Sequence, residues 1–176
     1  MYVQRVITGL SGSAGSLQAL RYATEMARHH DAALVPVLAW VPPGGEVADR
    51  RFPCPELREA WTRAGWERLW RAVELAIGGR PAGLQFLPQV VRGDPGQVLT
   101  QTAAEPGDVL VIGAGRHGVV RRALACRVTR YCVGHAVCPV ISVPPSPLAD
   151  QAHGLRGWIA RHRLDPEDAI LHGAKA

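Results

Sequence analysis

Residues 111–118 read Val-Ile-Gly-Ala-Gly-Arg-His-Gly, an apolar run that turns into the pattern G-x-G-x-x-G, with Gly113, Gly115 and Gly118 in the glycine places. Glycines so spaced let backbone N–H groups approach a phosphate with no Cβ in the way. Downstream, Cys126, Cys132 and Cys138 are spaced by six. Zinc ligands come in tighter pairs, and on a helix this spacing sets Cys126 and Cys132 on different faces, with Cys138 past the helix end. The three read as small buried hydrophobes. A thiolate at Cys126, lowered in pKa by the neighbouring Arg127, is the reactive alternative. His117 sits in the glycine turn, within reach of an anion, and His135 ends a helix. Neither has a carboxylate or nucleophile placed with it in sequence, so no catalytic residue is assigned and the chain reads as a non-enzyme.

Charge is more informative in its placement than in its total. No Asp or Glu lies between Asp108 and Asp150, while Arg116, Arg121, Arg122, Arg127 and Arg130 do, so this segment carries the whole formal charge of +5. Such a field favours an anionic ligand or partner. A biased genome explains it equally well: Lys175 is the only lysine, and Ala, Gly and Pro abound. Nucleic-acid binding is not expected, because Arg121 and Arg122 alternate with Val119, Val120, Ala123 and Leu124 as on any solvated amphipathic face.

At 176 residues with 47% hydrophobic content, the chain suits one globular domain with a substantial core. No signal peptide or membrane-length apolar run is evident, and four cysteines without a secretory signal read as reduced thiols. A cytoplasmic location without membrane association is expected.

The elements that must hold these residues follow from periodicity. Val3–Leu10 reads as a strand, and Ser11-Gly12-Ser13 offers N-cap chemistry to a helix carrying Leu17, Leu20, Ala23 and Ala27, closed by His29 and His30. Ala33–Val41 is a second strand, stopped by Pro42-Pro43-Gly44-Gly45, with a loop expected as far as Pro55. Glu56–Ile77 reads as a long helix with Trp66, Leu69, Trp70, Val73 and Ile77 on one stripe, ended by Gly78-Gly79. Leu84–Val91 is a third strand. Asp94 is an N-cap with Pro95 at the first helical position, before a short helix over Val98–Glu105. Val109–Ile112 is a buried fourth strand, Val119–His135 a helix, and Pro139–Val143 a fifth strand closed by Pro144-Pro145. The β-α alternation implies a parallel sheet covered on both faces. Residues 1–145 form this domain. Beyond Ser146, Leu155, Trp158, Ile159 and His162 make a small apolar face, and a short helical tail is expected over 146–176.

That order excludes a dinucleotide fingerprint. The glycine turn follows the fourth strand rather than the first, and the window Val133–Ile141 lacks the carboxylate that would hold a ribose. Along residues 3–145 the chain instead resembles the universal stress protein family. "VITGLSGSAGSLQALRYATEMARHHDAALVPVLAW" is similar to that family's first strand, Gly-x-Asp-Gly-Ser turn, helix and second strand. "VVRGDPGQVL" resembles its third strand and helix start, and "DVLVIGAGRHGVVRRALACRVTRYCVGHAVCPVISVP" its fourth strand, long helix and Cys-Pro-Val strand. The resemblance implies an α/β fold of the adenine-nucleotide alpha-hydrolase-like type, a five-stranded parallel sheet in the order 3-2-1-4-5. It also implies a homodimer paired through strand 139–144.

The resemblance further implies ATP or another adenine nucleotide at the carboxyl ends of strands one and four. The candidate residues are Gly9, Leu10 and Ser11 after strand one, Ala39 and Trp40 near the base, and Gly113, Arg116, His117, Cys126, Arg127 and Val128 along the phosphate segment. In the family's ATP-binding branch the motif is Gly-x2-Gly-x9-Gly-Ser/Thr. Aligned on Cys138-Pro139, Gly113 keeps the first place, Arg116 and Cys126 take the next two, and Arg127 takes the hydroxyl place. Ser11 stands where that branch carries Asp. Two outcomes follow. Either the larger side chains crowd the cradle and ATP binding is weakened or lost, leaving a binding module for a protein partner, or Arg116 and Arg127 bond the phosphate in place of backbone amides.

Overall fold

The computed structural model describes residues 2–114 and 119–144, with backbone alone over 119–126. The elements run β1 Arg5–Gly9, α1 Ala14–His30, β2 Ala33–Trp40, α2 Gly45–Arg51, α3 Pro55–Ile77, β3 Gln89–Arg92, α4 Pro95–Thr102, β4 Asp108–Gly113, α5 Val119–His135 and β5 Val140–Val143. All neighbouring strands pair in parallel, in the order β3-β2-β1-β4-β5. No helix among the described residues is long and apolar enough to cross a membrane. The expected helical tail lies outside the described residues.

Strand alternation splits the core into two layers. Val6, Leu34, Leu38, Val109 and Val111 face α1 and α3, meeting Leu20, Ala23, Leu69 and Val73. Ile7, Val35, Val37, Leu110 and Ile112 face the other way, onto Val98, Leu99 and Ala103 of α4 and its C-cap and Cys132 of α5. Each large side chain fully buried in this way contributes about 1.5–3 kcal/mol. Because both faces are covered, the strands read in sequence as unbroken apolar runs.

Local chemistry sets the helix ends. The Ser13 hydroxyl accepts from the Ser16 N–H at 3.2 Å and Asp94 accepts from the Gly96 N–H at 3.0 Å. Each cap satisfies one of the orphan donors of a first turn. At the C-termini, Gly78 (φ 72°) and Asp31 (φ 51°) take the left-handed conformation that stops a helix.

Four expectations are corrected. The loop expected up to Pro55 contains α2, too short and too exposed to leave an apolar period in the sequence. The short helix keeps its expected cap at Asp94 and start at Pro95 but ends at Thr102, short of Glu105. The third strand shrinks to Gln89–Arg92, with an isolated bridge at Phe86. Leu34 exchanges both backbone bonds with that segment, so even-numbered β2 residues turn their backbone toward β3. Pro36 is the next even position and has no N–H, which breaks the ladder there. On α3, Leu69 and Val73 are buried as expected, but Trp70 is 42% exposed and lies against Phe86.

Candidate functional site

The ladder between β1 and β4 ends at Thr8 and Val111, and that between β1 and β2 at Gly9 and Val37. From there α1 leaves β1 toward one face while α5 leaves β4 toward the other. Open α/β sheets bind ligands at such a switch point, beyond the carboxyl ends of the strands. The first and fourth strands are therefore brought side by side, as the site requires.

Beyond β1, the Leu10 N–H donates to the Val37 carbonyl at 2.8 Å, and Gly12 (φ 75°) turns the chain into α1. The turn is closed by its own hydroxyls. Ser11 Oγ lies 3.0 Å from Ser13 Oγ, while Ser16 Oγ accepts from the Ser11 N–H at 3.3 Å and donates to the Ser13 carbonyl at 2.9 Å. No acidic residue occupies the first turn of α1, so the positive end of its dipole is not neutralised there.

Gly113 has a packing role of its own. A Cβ there would lie 2.5 Å from the carbonyl carbon of Gly15 and 3.0 Å from the Ser16 nitrogen. In return, a Cβ on Gly15 would lie 3.2 Å from the Ala114 oxygen. Strand and helix meet backbone to backbone, and the first glycine of the turn is required whatever binds beyond it. The rest of the turn, Gly115, Arg116, His117 and Gly118, lies outside the described residues, as does the Cys126 side chain.

Other candidates are partly absorbed by the core. A Cβ on Gly9 would lie 2.8 Å from Leu99 Cδ1, and the Leu10 side chain is buried against α1 and α3. Ala39 and Val128 pack on the α4–α5 side. The Trp40 side chain turns to the α3 side, 6.0 Å from the Trp61 ring. Its carbonyl accepts from the Gly93 N–H, so its backbone serves β3. By the same alternation, the backbone of Ala39 faces the β1 side just past the end of that ladder. Arg127 is exposed, with its guanidinium 3.9 Å from the Asp94 carboxylate at the start of α4.

Cys132 and Cys138 behave as a structural role demands. Cys132 is buried, and burial pushes its thiol up to about 11. Cys138 is raised for the same reason. Both are poor nucleophiles at neutral pH. Among the described residues no group of three or more metal-ligating side chains assembles.

Sequence reasoning missed an ionic cluster at the neighbouring strand ends. Arg92, the last residue of β3, donates to Glu46 at 3.0 and 2.6 Å and to Asp49 at 2.7 Å. Arg58 of α3 donates to the same Asp49 at 3.0 Å. The Arg92 guanidinium lies 5.9 Å from the Trp40 ring centroid. Hydrogen bonds from Arg92 hold the Glu46 carboxyl below its usual range, and those from Arg58 and then Arg92 do so for Asp49. Arg68 of α3 also reaches the Ser11 carbonyl, at 3.5 Å. Nothing in the sequence marked its proximity to the turn.

Doubly wound sheet, strand order and Cys-Pro-Val final strand together define an α/β domain of the adenine-nucleotide alpha-hydrolase-like fold. A model of the universal stress protein family matches residues 3–144, and the chain belongs to that family. No curated protein matches it in sequence. Among solved structures it is similar to a universal stress protein in complex with cAMP, at 22% identity, over 83% of this chain and 100% of that one, with a TM-score of 0.51. It is also similar to the universal stress protein from Archaeoglobus fulgidus, at 18% identity over 81% of this chain and 99% of that one, TM-score 0.54. The universal stress protein UspA from Lactobacillus plantarum gives 16%, 81%, 99% and 0.53. At these identities the likeness defines the fold.

Proposed function

We propose that this domain is a non-enzymatic, cytoplasmic binding and signalling module of the stress response, dimeric, with ATP binding weakened or lost. The observation that carries this reading is Ser11. It stands where the ATP-binding branch has Asp, and its hydroxyl is engaged within the turn by Ser13 at 3.0 Å. A short neutral side chain closed on its own turn is a poor substitute for a carboxylate that can reach a ligand. Arg127, in the hydroxyl place of the phosphate motif, leans toward Asp94 instead.

Calorimetry with ATP, ADP, AMP and cyclic AMP tests this. No heat with the wild type is expected; micromolar binding of ATP overturns the reading. A second reading, an adenine-nucleotide sensor that uses arginines, is favoured by one feature: the Arg127 side chain is 71% exposed and its tie to Asp94 is long. One similar structure holds cAMP. Under this reading, binding is present in the wild type and lost in Arg127→Ala.

The dimer is proposed through β5. This strand is a sheet edge, and Val137, in the connection just before it, is 79% exposed. An edge with unpaired backbone groups is suited to a second copy across a two-fold axis. Sedimentation is expected to give a dimer at micromolar concentration; monomer alone overturns it.

A further inference from the structure

The helix α2 is attached to the domain differently from the other helices. Of its seven residues only Asp49 is buried, and that residue is a carboxylate. Its apolar Val47 is 71% exposed, and Phe52, just past its end, is 78% exposed. Apolar burial therefore holds it weakly, and what ties it down is ionic. Glu46 and Asp49 are gripped by Arg92, and Asp49 again by Arg58 at 2.9 Å. Arg50, on α2 itself, donates to the Glu46 carbonyl at 3.3 Å and is the other charge beside this cluster. Both flanks suit a pivot. Gly44 (φ 85°) precedes the helix and Gly45 (φ 80°) opens it, and Pro53 and Pro55 follow it.

We propose that α2 is a salt-sensitive flap, latched by Glu46 and Asp49 onto Arg92 and Arg58 at the carboxyl ends of β2 and β3. Closed, it holds the Arg92 guanidinium over the Trp40 ring. Open, it frees that arginine and bares one face of the indole beside the proposed ligand site. The latch rests on ion-pair geometry and holds whether or not a nucleotide binds. The Glu46–Arg92 pair retains contact with water, its side chains being 40% and 30% exposed, so mobile ions weaken it, while the Asp49 carboxylate, 3% exposed, is screened less.

Hydrogen exchange followed by mass spectrometry on the full chain tests the flap. In Arg92→Gln the amides of residues 46–52 are expected to exchange about tenfold faster or more, the loss of one set of charge-assisted bonds, while those of β1 and β4 are unchanged. Wild type in about 1 M NaCl is expected to show a smaller acceleration confined to the same residues, and this arm does not depend on the variant folding. Arg92→Lys, which keeps the charge without the fork, is expected to fall between. The proposal is overturned if residues 46–52 exchange as slowly in Arg92→Gln and in high salt as in the wild type at low salt. It is equally overturned if they already exchange at the unprotected rate at low salt.

Discussion

A Cβ on Gly113 would sit 2.5 Å from backbone of α1, where no flexible side chain can yield. Gly113→Ala must therefore part the strand from the helix. Equilibrium urea unfolding is expected to show a loss of about 1–3 kcal/mol, the usual cost of overpacking. Gly9→Ala meets only the tip of Leu99 and is expected to lose less. Thr8 offers the opposite sign. Its hydroxyl is fully buried in β1 and has no partner among the described residues. Thr8→Val keeps the volume and removes that orphan, and a gain of about 1 kcal/mol is expected from the same unfolding experiment. At this scale the sequence was legible wherever a residue acts on its near neighbours. Ser13, Asp94, Pro95 and Gly78 each do their capping work within a turn, and each stands where its type announces it. It was illegible where the partner is distant. Nothing in the glycine pattern distinguishes a residue kept for a phosphate from one kept for Gly15.

Among the elements, the helices that bury an apolar stripe were readable and the one held by charge was not. Glu46 and Arg92 are 46 positions apart, and only the parallel register of β2 and β3 brings Arg92 level with Trp40. Pro36 left a sign in the sequence, since proline in a central strand must interrupt a ladder, and β3 is shorter in consequence. The α2 latch also fixes a pH dependence. Glu46 and Asp49 titrate below their ordinary values when folded, because Arg92 and Arg58 bond the charged forms. Their contribution is complete above the ordinary carboxylate range and is lost as pH falls through the lowered values. Exchange at 46–52, corrected for its intrinsic pH dependence, is expected to stay level from neutral pH down to about 5. It should quicken only below about 4, the range of free carboxylates, ahead of the sheet. Uniform quickening of the sheet and α2 together would show that the latch does not titrate separately.

For the whole molecule, the two ends of the sheet do different work. At the amino end, Arg5 of β1 holds the buried Asp108 of β4 through two bonds of 2.8 and 2.7 Å and reaches the Thr102 carbonyl at 3.0 Å. This clamp fixes the β1–β4 pair whose carboxyl ends form the switch point. Arg5→Met strands a buried carboxylate, and a loss of about 3 kcal/mol is expected by urea unfolding, much of it recovered when Asp108→Leu is added. The β-α order was legible because each strand run and each helix period lies in a continuous stretch. The strand order needed the family resemblance, since spacing alone does not say which neighbours pair. Where β4 abuts α1, the joint imposes its own demand on heredity. A lineage that abandoned its cargo would still need Gly113, because any larger residue would part the strand from the helix. A search for nucleotide carriers by that position alone will gather chains that kept the joint after the passenger had gone.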